Sequence, residues 1–413
     1  PEMAESRRPG RKHPASRGAI LVINSGSSSV KFALFAADES PSRLWSGAIE
    51  RIGLADGRIH ALDSEGRMAI DEDKGFADHD VALGTLLESI DRHSNGLPLT
   101  SVGHRIVHGG PDCDCPLVVT TEVEARLREF IPLAPLHQPH NLAGIVAVRR
   151  VRPDLPQIAC FDTAFHNTMP RISTLTALPR KFHAEGIRRY GFHGLSYESV
   201  TDTLRADGVE IDRERVIIAH LGNGASMCAL KGGRSIETTM GFSTLAGLPM
   251  GTRCGDLDPG ILLYLLGERG MTVERIERLL YEESGLLGVS GLTRNMEDLV
   301  ARRSDPAANE AIDLFCYRAS KHVGALTAAL GGIDRLLFTG GIGTNAPLVR
   351  EKICARLAHL GIDLDAERNV RGEPVLSNDF SRVVVGALPT DEETTIARHV
   401  RALLEAPLAA QEA

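Results

Sequence analysis

The chain has 413 residues, 43% hydrophobic and 24% charged, a composition that excludes disorder for most of its length and predicts two or three domains. Forty-six Lys and Arg against 54 Asp and Glu leave a net charge of −8, which argues against a nucleic-acid surface as the main function. Seven scattered cysteines do not read as a disulfide framework, and the Cys113/Cys115 pair has no second pair at metal-ligand spacing. Apolar runs such as 261–266 fall far short of the roughly 20 residues of a membrane span. Residues 1–18 are basic, carry Pro and Gly and lack an apolar centre, so they predict a disordered tail rather than a secretory signal. A cytoplasmic protein without membrane or nucleic-acid partners is the expectation. Two features depart from ordinary usage, 41 glycines and only 4% aromatics. Glycine without a repeating period points to tight turns and close backbone approach to a ligand, and phosphate is a frequent one.

In chain order, AILVIN at 19–24, a Gly/Ser turn at 26–29 and VKFALF at 30–35 predict a β-hairpin. Small residues in that turn let backbone N–H groups converge, and Lys31 stands close enough to reach the same anion. GHRIVHGG holds Arg105 between His104 and His108, and PLAPLHQPHN holds His137. PQIACFD reads as a buried strand ending at Asp162, and RYGFHG carries His193. The hairpin then returns as RVIIAHLGNGASMCAL at 215–230: at a constant offset of 196, Gly26 meets Gly222 and Leu34 meets Leu230. A separation of about half the chain predicts duplication of one α/β domain and is too long for a solenoid. PMGTRCGDLDPG sets Arg253 in a Gly/Thr turn, and RLLFTGGIG at 335–343 is a strand running into a glycine turn ahead of a helix with Val349 and Ile353. Asp391 is the expected N-cap of a C-terminal amphipathic helix with Ile396, Val400, Leu403 and Leu404 on one stripe.

Either hairpin turn alone fits a solvent-facing loop equally well, and His104 and His108 read more simply as structural histidines. Two opposed glycine turns from duplicated domains, however, suit a polyphosphate gripped from both sides, without a Walker A pattern. An Arg in a Gly/Thr turn suits a carboxylate or a transferring phosphoryl group. Asp162 and Glu392, at strand and helix ends, are natural places to hold Mg²⁺ through water.

NSGSSSVKF, GHRIVHGG, APLHQPHN, FDTAFHNTMP, RYGFHG, HLGNGAS, PMGTRCGDLDPG and TGGIGTNA stand in the order found in the acetate kinase family, and the chain resembles that family from about Ala19 to the C-terminal helix. The resemblance implies an α/β protein of two duplicated ribonuclease-H-like domains with an interdomain cleft, as in the acetate and sugar kinase, heat-shock ATPase and actin superfamily. The expected division is 19–165 with 390–413 for the first domain and 166–389 for the second, which carries nucleotide binding and dimerisation. A homodimer is implied, with Mg²⁺ (Mn²⁺ as an alternative) and ATP/ADP as co-substrate. Reversible in-line transfer between ATP and acetate, giving acetyl phosphate, is the expected reaction; a propionate or other short-chain acid kinase is the nearest alternative.

Residue by residue, Asn24 and Glu392 resemble the magnesium pair, with Glu393 as an alternative in register. Lys31 and the stretch His220, Leu221, Gly222, Asn223 and Gly224 resemble the phosphate-binding part. Gly341, Ile342, Gly343, Thr344 and Asn345 resemble the adenosine part. Arg105 matches the acetate-binding arginine, Asp162 the catalytic aspartate, His193 and Arg253 the transition-state stabilisers, and His137 a supporting histidine. Val107, Leu136 and Phe192 match the wall of the methyl pocket. The chain departs from the family where an adenine-side Asp-Phe-Arg triplet reads Asn295-Met296-Glu297, leaving Arg294 as a substitute cation. Thr344 replaces a usual Glu, and Thr244 stands where many members carry Pro.

Overall fold

The β-branched run at the start of the chain becomes the centre of a sheet. The structure is a computed structural model that describes residues 18–405 apart from Asn95; the tail expected over 1–18 lies, but for Gly18, outside the described residues, as does 406–413. Its first eight strands are β1 (Ala19–Ser25), β2 (Ser29–Ala36), β3 (Ser42–Glu50), β4 (Arg58–Asp63), β5 (Met68–Asp73), β6 (Leu99–Ile106), β7 (Leu117–Val118) and β8 (Gln157–Phe161). They form one sheet in the order β5-β4-β3-β2-β1-β6-β8-β7. The second sheet has β9 (Arg215–Leu221), β10 (Ala225–Lys231), β11 (Arg234–Thr238), β12 (Arg335–Thr339) and β13 (Val384–Ala387), ordered β11-β10-β9-β12-β13.

The five strands β3-β2-β1-β6-β8 repeat the order of β11-β10-β9-β12-β13, and the directions repeat too. In each, the first two pairings are antiparallel and the last two parallel. The offset of 196 holds for the outgoing strand only. Ile20 pairs with Phe35 where Val216 pairs with Leu230, so the returning strand is displaced by 195. The physical reason is turn length: Ser25 pairs with Val30 around four residues, whereas Leu221 pairs with Ala225 around three.

Strands β1 and β9 are apolar on both faces because helices cover both faces. Leu21, Ile23 and Leu34 meet Leu83, Leu86 and Ile90 of the helix His79–His93. On the other face Ile20, Val22 and Phe35 meet Ile396 and Val400 of the C-terminal helix Glu392–Glu405. Gly103 of β6 makes that approach possible, since a Cβ there would lie 2.6 Å from Ile396 and 2.7 Å from Val400. Asp391 caps this helix, its carboxylate accepting from the Thr394 N–H at 3.0 Å. Burial of Ile396 and Val400 stabilises the return of the chain end to the first sheet by about 1.5–3 kcal/mol each.

The 25-residue helix Pro306–Leu330 covers the second sheet through Ile312, Phe315 and Val323. The helix Gly194–Ala206 packs against both sheets: Leu195 joins Ile158 and Ile396, while Tyr197, Val200 and Leu204 join Val216 and Ile218. One local expectation is corrected. The glycine cluster after β12 is not a free turn but a short helix, Gly340–Asn345, followed by a second helix, Pro347–Ala355.

Candidate active site

The carboxyl ends of the parallel strands converge, the usual place for a ligand in α/β architecture. Asn24 is next to last in β1, Arg105 next to last in β6, Asp162 follows β8, His220 is next to last in β9, and Gly340 follows β12. Asn24 faces Lys31 in the β1–β2 register, and Lys31 is solvent-exposed.

Arg105 is clamped. Its Nε and Nη2 donate to the two Asp162 oxygens at 3.0 and 2.7 Å, and Glu392 Oε2 lies 3.3 Å from Nε. Asp162 is only 2% exposed and Glu392 17%. Burial works against the guanidinium charge of Arg105, but the two carboxylates outweigh it and hold its pKa above the ordinary value. Burial pushes the Asp162 carboxyl up, against the downward pull of Arg105.

Arg253 is the opposite case. It has no carboxylate partner among the described residues; its contacts are the Thr244 carbonyl at 3.4 Å, the Met250 sulfur at 3.7 Å and His137 Nε2 at 3.4 Å. Burial holds its pKa below the ordinary value. A desolvated cation whose nearest partners are this distant keeps its donors free to accept an anion.

Two imidazoles stand beside it. His193 and His220 stack with ring centres 4.3 Å apart and planes 20° apart. His193 has φ of 59°, one of two non-glycine residues in the left-handed region among those described, a strained conformation of the kind that clusters at functional sites. Burial, with His220 and the arginines adding to it, pushes His193 well below its ordinary value; burial takes His137 and His220 to about 4. All three are neutral at pH 7, so each ring offers one N–H rather than a charge. Gly224 lies against this pair, since a Cβ on it would stand 3.3 Å from His193 Nε2 and 3.9 Å from Arg253 Nη1.

The glycine turn at 222–224 leads from this cationic end into a cleft of about 900 Å³. Gly222, Asn223, Asn295, Met296, Glu297, Gly341, Ile342 and Asn345 line it, as do Arg303 and Glu351. Arg294 is not among the lining residues, and Arg303, two residues past the helix Met296–Ala301, is the cation present instead. Leu221 and Gly343 stand behind the wall, where both are buried, and the Thr344 hydroxyl is spent on the Gly340 carbonyl at 2.9 Å. Val107 and Phe192 pack with Ala134 in the large buried cluster, while Leu136 is 38% exposed. Glu393 faces Arg43 at 3.5 Å, whereas Glu392 faces Arg105.

Several supports escaped the sequence reading. The Asn141 side chain donates to the Ser25 carbonyl at 3.1 Å and accepts from the Val107 N–H at 3.0 Å, tying the first hairpin turn to β6. Arg350, fully buried, donates to the carbonyls of Gly343, Thr344 and Asn369 and so holds the short helix from its C-terminal end. Gly194 brings its N–H to the Asp162 carbonyl at 2.9 Å, and a Cβ there would lie 2.3 Å from that oxygen. Asn141 lies inside a motif already singled out; nothing local marks Arg350. His104 is held by Gln157 at 2.7 Å.

A family model described as the Acetokinase family matches residues 19–398. An acetate kinase of Rhodopseudomonas palustris is 49% identical over 389 residues, 92% of this chain and 97% of that relative. Among solved structures, an acetate kinase of Porphyromonas gingivalis matches with a TM-score of 0.85 at 38% identity, covering 94% of this chain and all of that one. A propionate kinase of Francisella tularensis matches with a TM-score of 0.86 at 34% identity, covering 92% of this chain and 98% of that one.

Proposed function

The chain belongs to the acetokinase family, and from that premise we infer that its cleft carries reversible transfer of the ATP γ-phosphoryl group to acetate, giving acetyl phosphate and ADP. The observation that carries this reading is the part-buried Arg253, with no carboxylate partner among the described residues, beside neutral His193 and joined to the cleft by the turn at 222–224. The nucleotide occupies the cleft of the second unit, 166–389, its adenosine on Gly341, Ile342 and Asn345 and its phosphates along the turn toward Arg253, while the first unit, 19–165 with the C-terminal helix, brings Arg105, Asp162 and Glu392. Arg253 and His193 bind the equatorial phosphoryl oxygens, where charge develops during transfer. Arg105, fixed by Asp162, presents its remaining Nη1 to the acetate carboxylate, and Val107 and Phe192 face the methyl group. Acetate is already ionised at neutral pH, so no general base is required and Asp162 serves to orient Arg105.

Magnesium fits the donor set. Among the described residues no group of three or more His, Cys, Asp or Glu is placed to hold a metal alone, and a cation that keeps its waters needs only one or two carboxylates beside substrate phosphates. Glu392 and Asp162, with the Asn24 amide, would hold it; Mn²⁺ suits the same oxygen ligands. When bound, the ion would neutralise charge on the phosphoryl oxygens.

The helix Pro259–Gly267 has no buried residue although it is apolar on every side, with Leu263 70% and Tyr264 51% exposed. Such a helix is covered in its working state, and we assign the cover to a second copy, making a homodimer. Leu263→Glu should then yield monomers by sedimentation. No described helix is long and apolar enough to cross a membrane; a cytoplasmic location belongs to the same proposal, supported by substrates that are small and soluble.

The test is trapping of the acyl phosphate by hydroxylamine with ATP, Mg²⁺ and acetate, propionate or butyrate. Acetyl hydroxamate as the preferred product supports the reading. A higher kcat/KM for propionate, the alternative that the comparable fit of the Francisella enzyme leaves open, overturns it.

A further inference from the structure

His193 is held from behind by the Ser226 hydroxyl, itself held by the Tyr197 hydroxyl, and no substrate-facing role requires either. Tyr197 is fully buried, and its hydroxyl is in hydrogen-bond contact with Ser226 Oγ and with no other partner among the described residues. A buried phenol must place its single proton on an acceptor, so Tyr197 donates to Ser226. Ser226, also fully buried, must then place its own proton, and its remaining partner is His193 Nδ1 at 2.8 Å. Nδ1 therefore accepts and carries no proton. In a neutral imidazole the proton is then on Nε2, the nitrogen on the side of Gly224 and Arg253.

We propose that Tyr197 and Ser226 are positioning residues that lock His193 in its Nε2–H tautomer, so that the ring donates a hydrogen bond to the transferring phosphoryl group beside Arg253. In the other tautomer Nε2 would turn a lone pair toward the same anionic oxygens, and the buried Ser226 or Tyr197 proton would lose its acceptor. The chain of donors runs one way because Tyr197 ends it. The helix Gly194–Ala206 thus serves the site twice: His193 is its N-cap residue and Tyr197 supplies the lock from its first turn. The inference rests on the reading of His193 as a phosphoryl-facing group, but the tautomer itself does not.

Nitrogen NMR of the full-length enzyme labelled at histidine tests the tautomer, with His193 assigned by loss of its signals in His193→Asn. The wild type should show protonated Nε2 and bare Nδ1; the reverse pattern overturns the proposal even if His193 proves essential. Ser226→Ala should give averaged tautomer shifts and a kcat lower by ~10–100-fold, a fraction of the loss on removing a donor outright, with KM for ATP and acetate within about threefold. Tyr197→Phe should fall between this variant and wild type. Ser226→Thr keeps the hydroxyl and should recover most of kcat; a Thr variant no better than Ala would show a packing role and overturn the lock. If Ser226→Ala does not fold, the wild-type spectrum and the Thr variant decide. Undiminished kcat in His193→Asn would instead refute the phosphoryl-facing reading and leave the tautomer result standing.

Discussion

Replacing Arg253 by Ala separates two effects that usually travel together when a buried charge is removed. Where a buried cation is paired, its loss strands the partner and costs about 3–5 kcal/mol of stability. Among the described residues Arg253 strands no charged partner: its contacts are a carbonyl at 3.4 Å, a thioether sulfur at 3.7 Å and a neutral imidazole at 3.4 Å. Its own desolvation, which holds its pKa down, opposes folding in the absence of an anion. Arg253→Ala should therefore leave the Tm of the free enzyme within about 2 °C of wild type, while kcat falls by ~10²–10³, equivalent to about 2.7–4 kcal/mol of transition-state stabilisation. Arg253→Lys should recover little, because the ammonium lacks the planar fork. Arg105→Ala provides the contrast, since it leaves Asp162, 2% exposed, and Glu392 without their cation; kcat and Tm should fall together. Hydroxamate turnover and thermal melts without nucleotide measure both quantities. A kcat for Arg253→Ala within twofold of wild type, or a Tm loss as large as that of Arg105→Ala, refutes the reasoning.

Val107→Ala removes two methyl groups from the wall packed with Phe192 and Ala134, so propionate should gain on acetate in kcat/KM by about 10-fold, within the ~1–3 kcal/mol a methylene is worth; an unchanged ratio would remove Val107 from the wall. Gly340 has φ of +76°, and a Cβ would stand 2.6 Å from the Leu221 carbonyl, so Gly340→Ala should cost about 1–3 kcal/mol in denaturant melts and weaken ATP binding; wild-type stability would contradict this. His104, His108, His137, His166 and His220 are all held near 4 by burial. Their contribution to stability is full above about 6.5 and is lost as pH falls through about 4, so Tm should drop steeply between those values; a flat profile from pH 7 to 4 counts against it. His399 runs the other way: burial opposes its charge, but Glu198 at 2.6 Å helps raise it to about 10. Its stabilisation is full below about 6.5 and is lost as pH rises through about 10; His399→Gln should flatten the alkaline limb of the Tm profile.

Much of the framework was legible because it is local. The runs at 19–24 and 215–221 are β-branched, their turns are glycine-marked, and Asp391 with the Ile396/Val400 stripe defines a capped helix from within a few residues. What escaped depends on phase or distance. Strands buried on both faces carry no alternation from which register can be read, so the one-residue difference between the two hairpin turns left no trace in the apolar pattern. Gly340–Asn345 is helical despite two adjacent glycines, a poor helix-forming start, because Arg350 binds the Gly343 and Thr344 carbonyls from the next helix. In sequence Arg350 is one more charged residue on a helix.

The same limit governs the two arginines of the candidate site. Arg105 and Arg253 each lie in a glycine-containing motif, and in sequence they look interchangeable as anion ligands. The fold makes them different. Asp162 comes to Arg105 from the end of β8 and Glu392 from the first turn of the C-terminal helix, and between them they fix the guanidinium and neutralise it. Arg253 meets no such partner among the described residues. On the proposed reading, one arginine is thereby held in a fixed orientation for a substrate whose charge is already present, and the other keeps its charge for the oxygens on which charge develops during transfer. Charge that is uncompensated before the reaction is the kind that can favour a transition state over a ground state. The division of labour therefore follows from which carboxylates the topology delivers to each guanidinium, a long-range property that no window of the sequence contains.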